Sequence, residues 1–395
     1  LTLAPTKRLG DLCDVVAGGT PSRSNADFFG GEVPWVKISD MLQGRIRTTD
    51  ERLTDEGLAA CRAKLLPPGT LLVSIFATIG RTAVLDIPAA TNQAIVGVSP
   101  RDLKAVDRAF LRHFLDFHAV TLGRQSRGVA QNNINASMLK DVPVPVPPLA
   151  EQKRIAAILD KADAIRRRRQ EAARLADTLI PSVFYEMFDK WLRQPAPEMP
   201  RIGDPSLANI ASGVTKGRQF GDAVTASVPY IRVANVQDGR LDLAEIKTIE
   251  VLPGDVEALR LESGDVLMTE GGDFDKLGRG ALWEADIPDC IHQNHVFRVR
   301  CQRKRLMPEF FASYIQSTLA RAYFLKCAKK TSNLASINMT QLRALPLPVP
   351  PIEIQREFAK RVKATRALQS VHGGIANDGN DLFNSLVQRA FRGEL

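Results

Sequence analysis

The sequence predicts an α+β protein. Two similar globular domains, each of small twisted β-sheets with helices, are joined by two long antiparallel coiled-coil helices, forming a pseudo-two-fold internal repeat. Three observations carry this. A proline-rich segment recurs downstream, short β-type runs recur in the same order ahead of each copy, and after the first copy the apolar period changes to seven. The expected boundaries are 1–148 and 194–351 for the two globular domains, and 149–193 and 352–395 for the helices.

The recurring segment is Ile134–Ala156 against Ile337–Ala359. Ten of its 23 positions are identical at a constant offset of 203, where ordinary composition gives roughly one or two. The same offset pairs Leu179 with Leu382, Ser182 with Ser385 and Phe188 with Phe391. Upstream, Val33–Lys37 echoes Val228–Arg232, Pro68–Leu72 echoes Ser263–Leu267, and Gly80-Arg81 echoes Gly278-Arg279. Asn92–Ile95 stands against Gln293–Val296. The offset drifts from 195 to 201, which places insertions in loops between strands.

Each copy opens with strands: Val33–Ile38, Leu71–Ile75 and Ala94–Val98, then Val228–Val233, Asp265–Met268 and His295–Val299. Glycine and proline turns punctuate them. Helical patterns follow at Arg108–Leu122 and Pro308–Lys326. The proline ladders Val142–Pro148 and Leu345–Pro351 come next. Proline removes a donor and keeps its predecessor out of the helical region, so each ladder is an extended strap, and Pro148 and Pro351 are placed to open a helix.

Beyond the first ladder, Ile155, Ala162, Arg169, Ala176 and Val183 recur every seven residues, as do Ile158, Ile165, Ala172 and Leu179. That seam reads as a coiled-coil helix of about 30 residues, roughly 45 Å long. The residues expected to pair the helices are Gln152, Ile155, Ile158, Ala162 and Ile165, with Gln355, Phe358, Val362 and Leu368. Gly373, Gly374 and Gly379 predict an interruption of the second helix before Leu382–Phe391.

Apolar residues are 44% and charged residues 25% of the chain, ordinary for a globular protein and incompatible with disorder, a collagen-like repeat or a disulfide scaffold. The longest uncharged run, Leu65–Gly80, holds two prolines and two glycines, against the about 20 apolar residues that spanning requires. No signal-peptide pattern is visible, although a start at Leu1 leaves room for a segment removed upstream. Five cysteines without a CxxC pattern fit a reducing cytoplasm and no structural zinc.

Catalytic signatures are missing: no phosphate loop, no dinucleotide fingerprint, no nucleophile elbow. Asp141, Glu151 and Lys153 have the spacing of a metal-dependent nuclease, but the second copy has Ala344, Ile354 and Arg356 there. A helix-start charge pair explains Glu151 better. Cys290, His292 and His295 have zinc-like spacing without an evident fourth ligand, so no metal is expected.

The net charge of +9 favours a polyanionic partner. Lysine and arginine supply phosphate contacts, asparagine and glutamine can bond adenine, and arginine can bond guanine in the major groove. Candidate double-stranded-DNA contacts in the first copy are Thr20, Ser22, Arg23, Lys37, Arg81, Asn92, Gln93, Arg127, Gln131, Asn132 and Asn133. In the second copy they are Lys216, Arg218, Arg232, Arg279, Gln293, Asn294, His295, Arg303, Lys304, Arg305, Lys330, Thr331, Ser332 and Asn333. Arg298 and Arg300 belong to the same basic stretch, and Asn135 to the same amide cluster. Turn chemistry or a solvated helix face accounts for any one of them equally well. The run Arg166–Arg169 covers more than one helix face, which suits solvent or a protein partner better than DNA.

The duplicated ladder followed by LAEQKRIAAILD and IEIQREFAKRV, with VPWVKISD, PPGTLLVS and the closing LVQRAFRGEL, resembles the specificity subunits of type I restriction-modification systems. The resemblance spans nearly the whole chain. It implies a non-catalytic DNA reader for phage defence, acting in the cytoplasm. Two target-recognition domains would each read half of a bipartite target, with the helices as spacer. Two methyltransferase subunits would dock on this chain, with two restriction/translocase subunits joining in some systems. S-adenosylmethionine, ATP and Mg would belong to those partners, with no cofactor in this chain. Two other functions stay open on the residues alone: a metal-dependent nuclease through Asp141, Glu151 and Lys153, and a coiled-coil scaffold without a DNA role.

Overall fold

The computed structural model describes residues 5–76, 81–126, 135–272, 277–284, 287–330 and 335–395. Contacts divide the chain into two units: Leu1–Glu171 with Gly374–Leu395, and Ala172–Gly373.

The first unit has a five-stranded sheet in the order Cys13–Ala17, Ile95–Pro100, Leu71–Ser74, Thr82–Leu85, Arg45–Ile46. Neighbours are antiparallel except the last pair. A second sheet sets Phe29–Val36 between Glu51–Leu53, antiparallel, and Ala90–Thr91, parallel. The other unit repeats the plan. Its four-stranded sheet runs Ala208–Ser212, Val296–Cys301, Asp265–Thr269, Gly280–Leu282, all antiparallel. Its three-stranded sheet sets Ala226–Ile231 between Lys247–Val251, antiparallel, and Ile291–His292, parallel. Even the register agrees: Trp35 faces Glu51 and Ala90, and Tyr230 faces Lys247 and Ile291. The duplication read from sequence echoes is therefore a duplication of topology. A small sheet, Gly271–Gly272, Ala335–Ser336 and Lys329–Lys330, belongs to the second unit.

The central strands Leu71–Ser74 and Asp265–Thr269 are buried at every position, as their near-continuous apolar runs require. The first ladder supplies an edge strand, Pro143–Pro145, antiparallel to Thr6–Arg8. The edge is where a residue without an N–H is tolerated. The second ladder makes the matching contact with the segment just ahead of its own sheets, the Leu347 N–H donating to the Pro200 carbonyl at 2.9 Å. Alternate residues Val142 and Val144, and Leu345 and Leu347, face the core. Just before each ladder, Asn135 accepts from the Met138 N–H and caps Ala136–Lys140, while Asn338 accepts from the Gln341 N–H and caps Met339–Arg343. Asn135 is thus a helix cap.

The helical pattern expected at Pro308–Lys326 is two helices, Pro308–Ile315 and Thr318–Cys327. Ser317 separates them by capping the second, its hydroxyl accepting from the Ala320 N–H.

The long helices run Leu149–Leu192 and Ile352–Phe391. The expected break at Gly373–Gly379 does not occur. Each glycine costs up to about 1 kcal/mol in a helix interior. Packing offsets that cost in the first unit, where Gly379 is buried beside Arg169 and the Gln170 amide donates to Asn380 at 2.9 Å. Within the first unit Arg154 reaches the Leu395 carbonyl while Gln170 reaches Asn380, so the segments are antiparallel. Within the second, Phe184 packs on Phe358 and Gln369 donates to the Ala176 carbonyl, again antiparallel.

The seam is displaced from the one read by sevens. Gln152, Ile155, Ala156, Leu159 and Asp163 are buried in the first unit, and Ala176, Phe184, Phe188 and Leu192 in the second, whereas Ile165, Leu179 and Leu368 are exposed. The buried face follows the globular core as well as the other helix, which a strict heptad does not describe. Phe358 and Val362 are buried as core residues; Ile158 and Ala162 are half-buried. Phe391 sits among Phe110, Phe114 and Phe117 at centroid distances of 5.5, 5.4 and 5.6 Å. Phe188, its counterpart, sits on Phe310 and Phe358 at 4.7 and 5.2 Å.

Two glutamines tie helix to sheet domain. Gln152 accepts from the Asp107 N–H and donates to the Ala105 and Pro147 carbonyls, all at 2.9 Å. Gln355 accepts from the Met307 N–H and donates to the Arg305 and Pro350 carbonyls. Their amides face their own domain wall because three orphan backbone groups there need partners.

Candidate nucleic-acid interface

In the first unit Ala17 is opposite Val96, Ser74 opposite Ile95, Val73 opposite Thr82, and Val36 opposite Thr91. The segments after Ala17, Val36 and Thr91 and before Thr82 therefore leave from one end of the sheets. Thr20, Ser22, Arg23, Lys37, Arg81, Asn92 and Gln93 all lie there. In the second unit Ser212 is opposite Phe297, Thr269 opposite Val296, Met268 opposite Gly280, and Ile231 opposite His292. Lys216, Arg218, Arg232, Arg279, Gln293, Asn294 and His295 gather at that matching end. The Ile337 N–H donates to the Glu270 carbonyl, which brings the small sheet carrying Lys330 to the same place.

The loops are anchored alike. The Gly19 N–H donates to the Thr91 carbonyl at 2.9 Å, and the Val214 N–H to the His292 carbonyl at 2.8 Å. A Cβ on Gly18 would lie 2.1 Å from the Asn92 carbonyl oxygen, and one on Gly213 would lie 1.9 Å from that of His292. Only glycine permits this approach. The Trp35 indole N–H donates to the Gly19 carbonyl at 3.1 Å, pinning the loop to the second sheet.

Acids organise the cations. Arg23 Nη1 and Lys37 Nζ each donate at 2.7 Å to the two oxygens of Glu51. Those bonds, Arg23 first, hold the Glu51 carboxyl below its ordinary range. The Arg23 guanidinium lies 4.6 Å from the Phe29 ring centre and 5.1 Å from that of Trp35. In the second unit Arg218 Nη1 donates to Asp255 at 2.8 Å and the guanidinium lies 5.2 Å from the Phe220 ring. Arg232 and Lys247 share Glu245 at 3.4 and 3.3 Å, and hydrogen bonds from Lys247 and then Arg232 lower that carboxyl. Arg279 donates to Gln237 at 2.7 Å, and His295 Nδ1 lies 2.6 Å from Glu270. Ser22 shares a hydroxyl contact with Ser24 at 2.7 Å, and the Asn92 side chain accepts from the Ala94 N–H. The Thr20 hydroxyl is buried and has no partner among the described residues. Gln93 and Lys216 are exposed; Arg81, Gln293 and Asn294 are half-buried.

Other sequence candidates fall elsewhere. Arg303, Lys304 and Arg305 follow Cys301, at the far end of a six-residue strand from His295, about 20 Å away at the usual rise. Arg303 donates to the Ser263 carbonyl and Arg305 to the Ser206 hydroxyl, so the structure does not bring this patch to the shared end. Arg298 is buried against the Ala258 and Arg260 carbonyls, and Arg300 pairs with buried Asp265 at 2.7 Å. Arg298 is buried, and the nitrogens of Arg300 are engaged by Asp265, Glu262 and the Arg260 carbonyl, so neither presents a free guanidinium to phosphate. Arg166 and Arg167 both engage Asp163. Arg127, Gln131, Asn132, Asn133, Thr331, Ser332 and Asn333 lie outside the described residues, as does the side chain of Lys330.

Asp141 pairs with Arg8 at 3.1 Å and Glu151 with Arg154 at 2.7 Å. His292 is fully buried with Nδ1 on the Val296 carbonyl, while His295 is exposed on Glu270. Among the described residues no three metal-capable side chains converge, and no helix is long and apolar enough to cross a membrane. Sequence reasoning sought cations and missed Glu51, Asp255, Glu245 and Glu270. No spacing marks these acids, because the folded arrangement of strand, helix and loop, not chain order, chooses their partners.

The chain matches the family described as type I restriction modification DNA specificity domain twice, over residues 5–174 and 207–377. It is 24% identical over 389 residues to the type I restriction enzyme EcoKI specificity subunit of Escherichia coli strain K12, covering 92% of this chain and 82% of that one. It is also 24% identical over 395 residues to the EcoBI specificity subunit of Escherichia coli, covering 92% and 80%. Among solved structures it is similar to a type I restriction-modification system S subunit from M. genitalium, at 14% identity and TM-score 0.53 over 98% of this chain and 95% of that one. A chain from a study of type I system assembly and conformational transition is similar at 17% identity and TM-score 0.58 over 100% and 99%.

Proposed function

The chain belongs to the type I restriction modification DNA specificity family, and we propose that it is the sequence-reading subunit of such a system, binding a bipartite duplex target. The observation that carries this is the family match falling separately on each of two units with one topology. One domain, 1–148, reads one half-site and the other, 194–351, reads the second; the helices 149–193 and 352–395 set their separation. Half-sites on one duplex face lie about 34 Å apart or a multiple of it.

The reading end of each domain is the one where the loop cations gather. Phosphate contacts there make binding salt-dependent. Exposed Leu175, Leu179, Leu368 and Val371 on the long helices support a protein-docking face, which we assign to two methyltransferase subunits, with restriction/translocase subunits beyond them. The chemistry, with its S-adenosylmethionine, ATP and Mg, resides in those cytoplasmic partners, and this chain is non-catalytic.

Methylome sequencing of cells with and without the chain tests this reading. The expected result is a two-part methylated motif that vanishes with the chain. A motif that persists unchanged rejects it.

A further inference from the structure

Arg23 and Arg218 stand at the same place in the two repeats, at the offset of 195 that also pairs Gly18 with Gly213 and Thr20 with Thr215. Each guanidinium lies over an aromatic ring, Phe29 and Trp35 in one unit and Phe220 in the other. Each gives Nη1 to a carboxylate, at 2.7 Å to Glu51 and 2.8 Å to Asp255. The acids are not counterparts. Glu51 is on a strand and faces Trp35, whereas Asp255 is on the helix Pro253–Leu259. The register position of Glu51 is taken in the second unit by Lys247, which faces Tyr230. The two modules thus reach one arrangement from different residues, so it is not simply a contact copied with the duplication.

The arrangement has a chemical consequence. A guanidinium offers two parallel N–H groups along its Nε–Nη2 edge. With Nη1 engaged by the acid and the guanidinium seated beside a ring, the Nε–Nη2 edge is the part left to meet a ligand. Among the described residues it has no partner in either unit. Both side chains are open to solvent, at 55% and 39%. A two-donor fork matches O6 and N7 of guanine in the major groove. It matches two phosphate oxygens as well, so a loss of guanine preference, not of affinity, is what identifies base reading.

We propose that Arg23 and Arg218 each read a guanine, one per half-site, and that Glu51 and Asp255 are positioning residues that aim the two forks. This rests on the DNA-reading function proposed above and names the residues that specify at that site.

The test uses the full chain in its methyltransferase complex, with a pool of duplexes randomised across the methylated motif and methylation read by sequencing. Arg23→Lys keeps the charge and removes the fork. It should lower the preference for guanine at one position of one half-site by about tenfold or more, the range of a bidentate pair. Glu51→Gln should weaken the same preference at the same position. Arg218→Lys and Asp255→Asn should do so in the other half-site only. The remaining positions of the same half-site report in each case that the variant domain is folded. Because the two units are tested independently, misfolding of one variant leaves the other to decide.

If Arg23→Lys and Arg218→Lys keep the motif intact, the arginines act as plain cations and the proposal fails. It fails equally if either lysine variant alters both half-sites together, or if Glu51→Gln and Asp255→Asn leave the guanine preferences untouched. A wild-type complex that selects no sequence at all rejects the DNA-reading function instead, so the two failures are separable.

Discussion

His292 occupies the strand Ile291–His292 where the first unit has Thr91, and it is fully buried. Its Nδ1 lies 2.7 Å from the Val296 carbonyl, which can only accept, so Nδ1 carries the proton. Burial pushes its pKa from 6.5 down to about 4, a fall that the bond to Val296 partly opposes. The unfolded chain therefore takes up the proton first as pH falls. The neutral folded histidine contributes fully above the unfolded value, and its contribution is lost progressively between about 6.5 and about 4. The loss is on the order of 3 kcal/mol at most. The expected outcome is that His292→Gln melts with a shallower pH dependence than wild type across that window. Parallel curves would contradict it.

At this scale the sequence made charge visible but not its use. Arg298 and Arg300 look no different from Arg303 until the register with Asp265–Thr269 sets Asp265 beside Arg300 and turns Arg298 inward. Arg23 was legible as a loop cation. Its clamp was not, because Glu51 meets it only through the pairing of strands Phe29–Val36 and Glu51–Leu53.

At the scale of elements, the proline ladders were read as extended straps and pack as such, because alternate valines or leucines turn inward and the prolines sit where no N–H is required. The long helix after the first ladder was legible from its apolar spacing. Its buried face was not, because Phe184 and Phe188 answer to the domain core of the second unit. Glycine content misled at Gly373 and Gly374. Both are helical, neither has a positive φ, and a Cβ at either would meet nothing within 4 Å among the described residues. Alanine there removes backbone entropy from the unfolded chain without a clash. Gly373→Ala and Gly374→Ala should each stabilise by roughly 0.5–1 kcal/mol and raise the melting temperature by about one to a few degrees. Thermal melts check this, and a lowered melting temperature would show that the second long helix depends on those glycines.

At the scale of the whole chain, the constant offset of 203 across the ladders made the duplication legible, and the common strand order and register are its structural form. One divergence between the repeats lies beside the reading end. Facing Trp35 the first unit carries Glu51, while facing Tyr230 the second carries Lys247, a reversal of charge at one register position. Two scaffolds of one design with different side chains at their loop ends suit two different half-sites. Which bases those are depends on side-chain detail that no sequence pattern encodes, and residues such as Gln131 and Asn333 lie outside the described part of the structure.

The most direct measurement exchanges residues 10–140 for the matching segment of a relative with another target, then maps the methylated motif of the intact complex. Independent readers change one half of the motif and leave the other half as it was. A change in both halves, or in neither, contradicts the account.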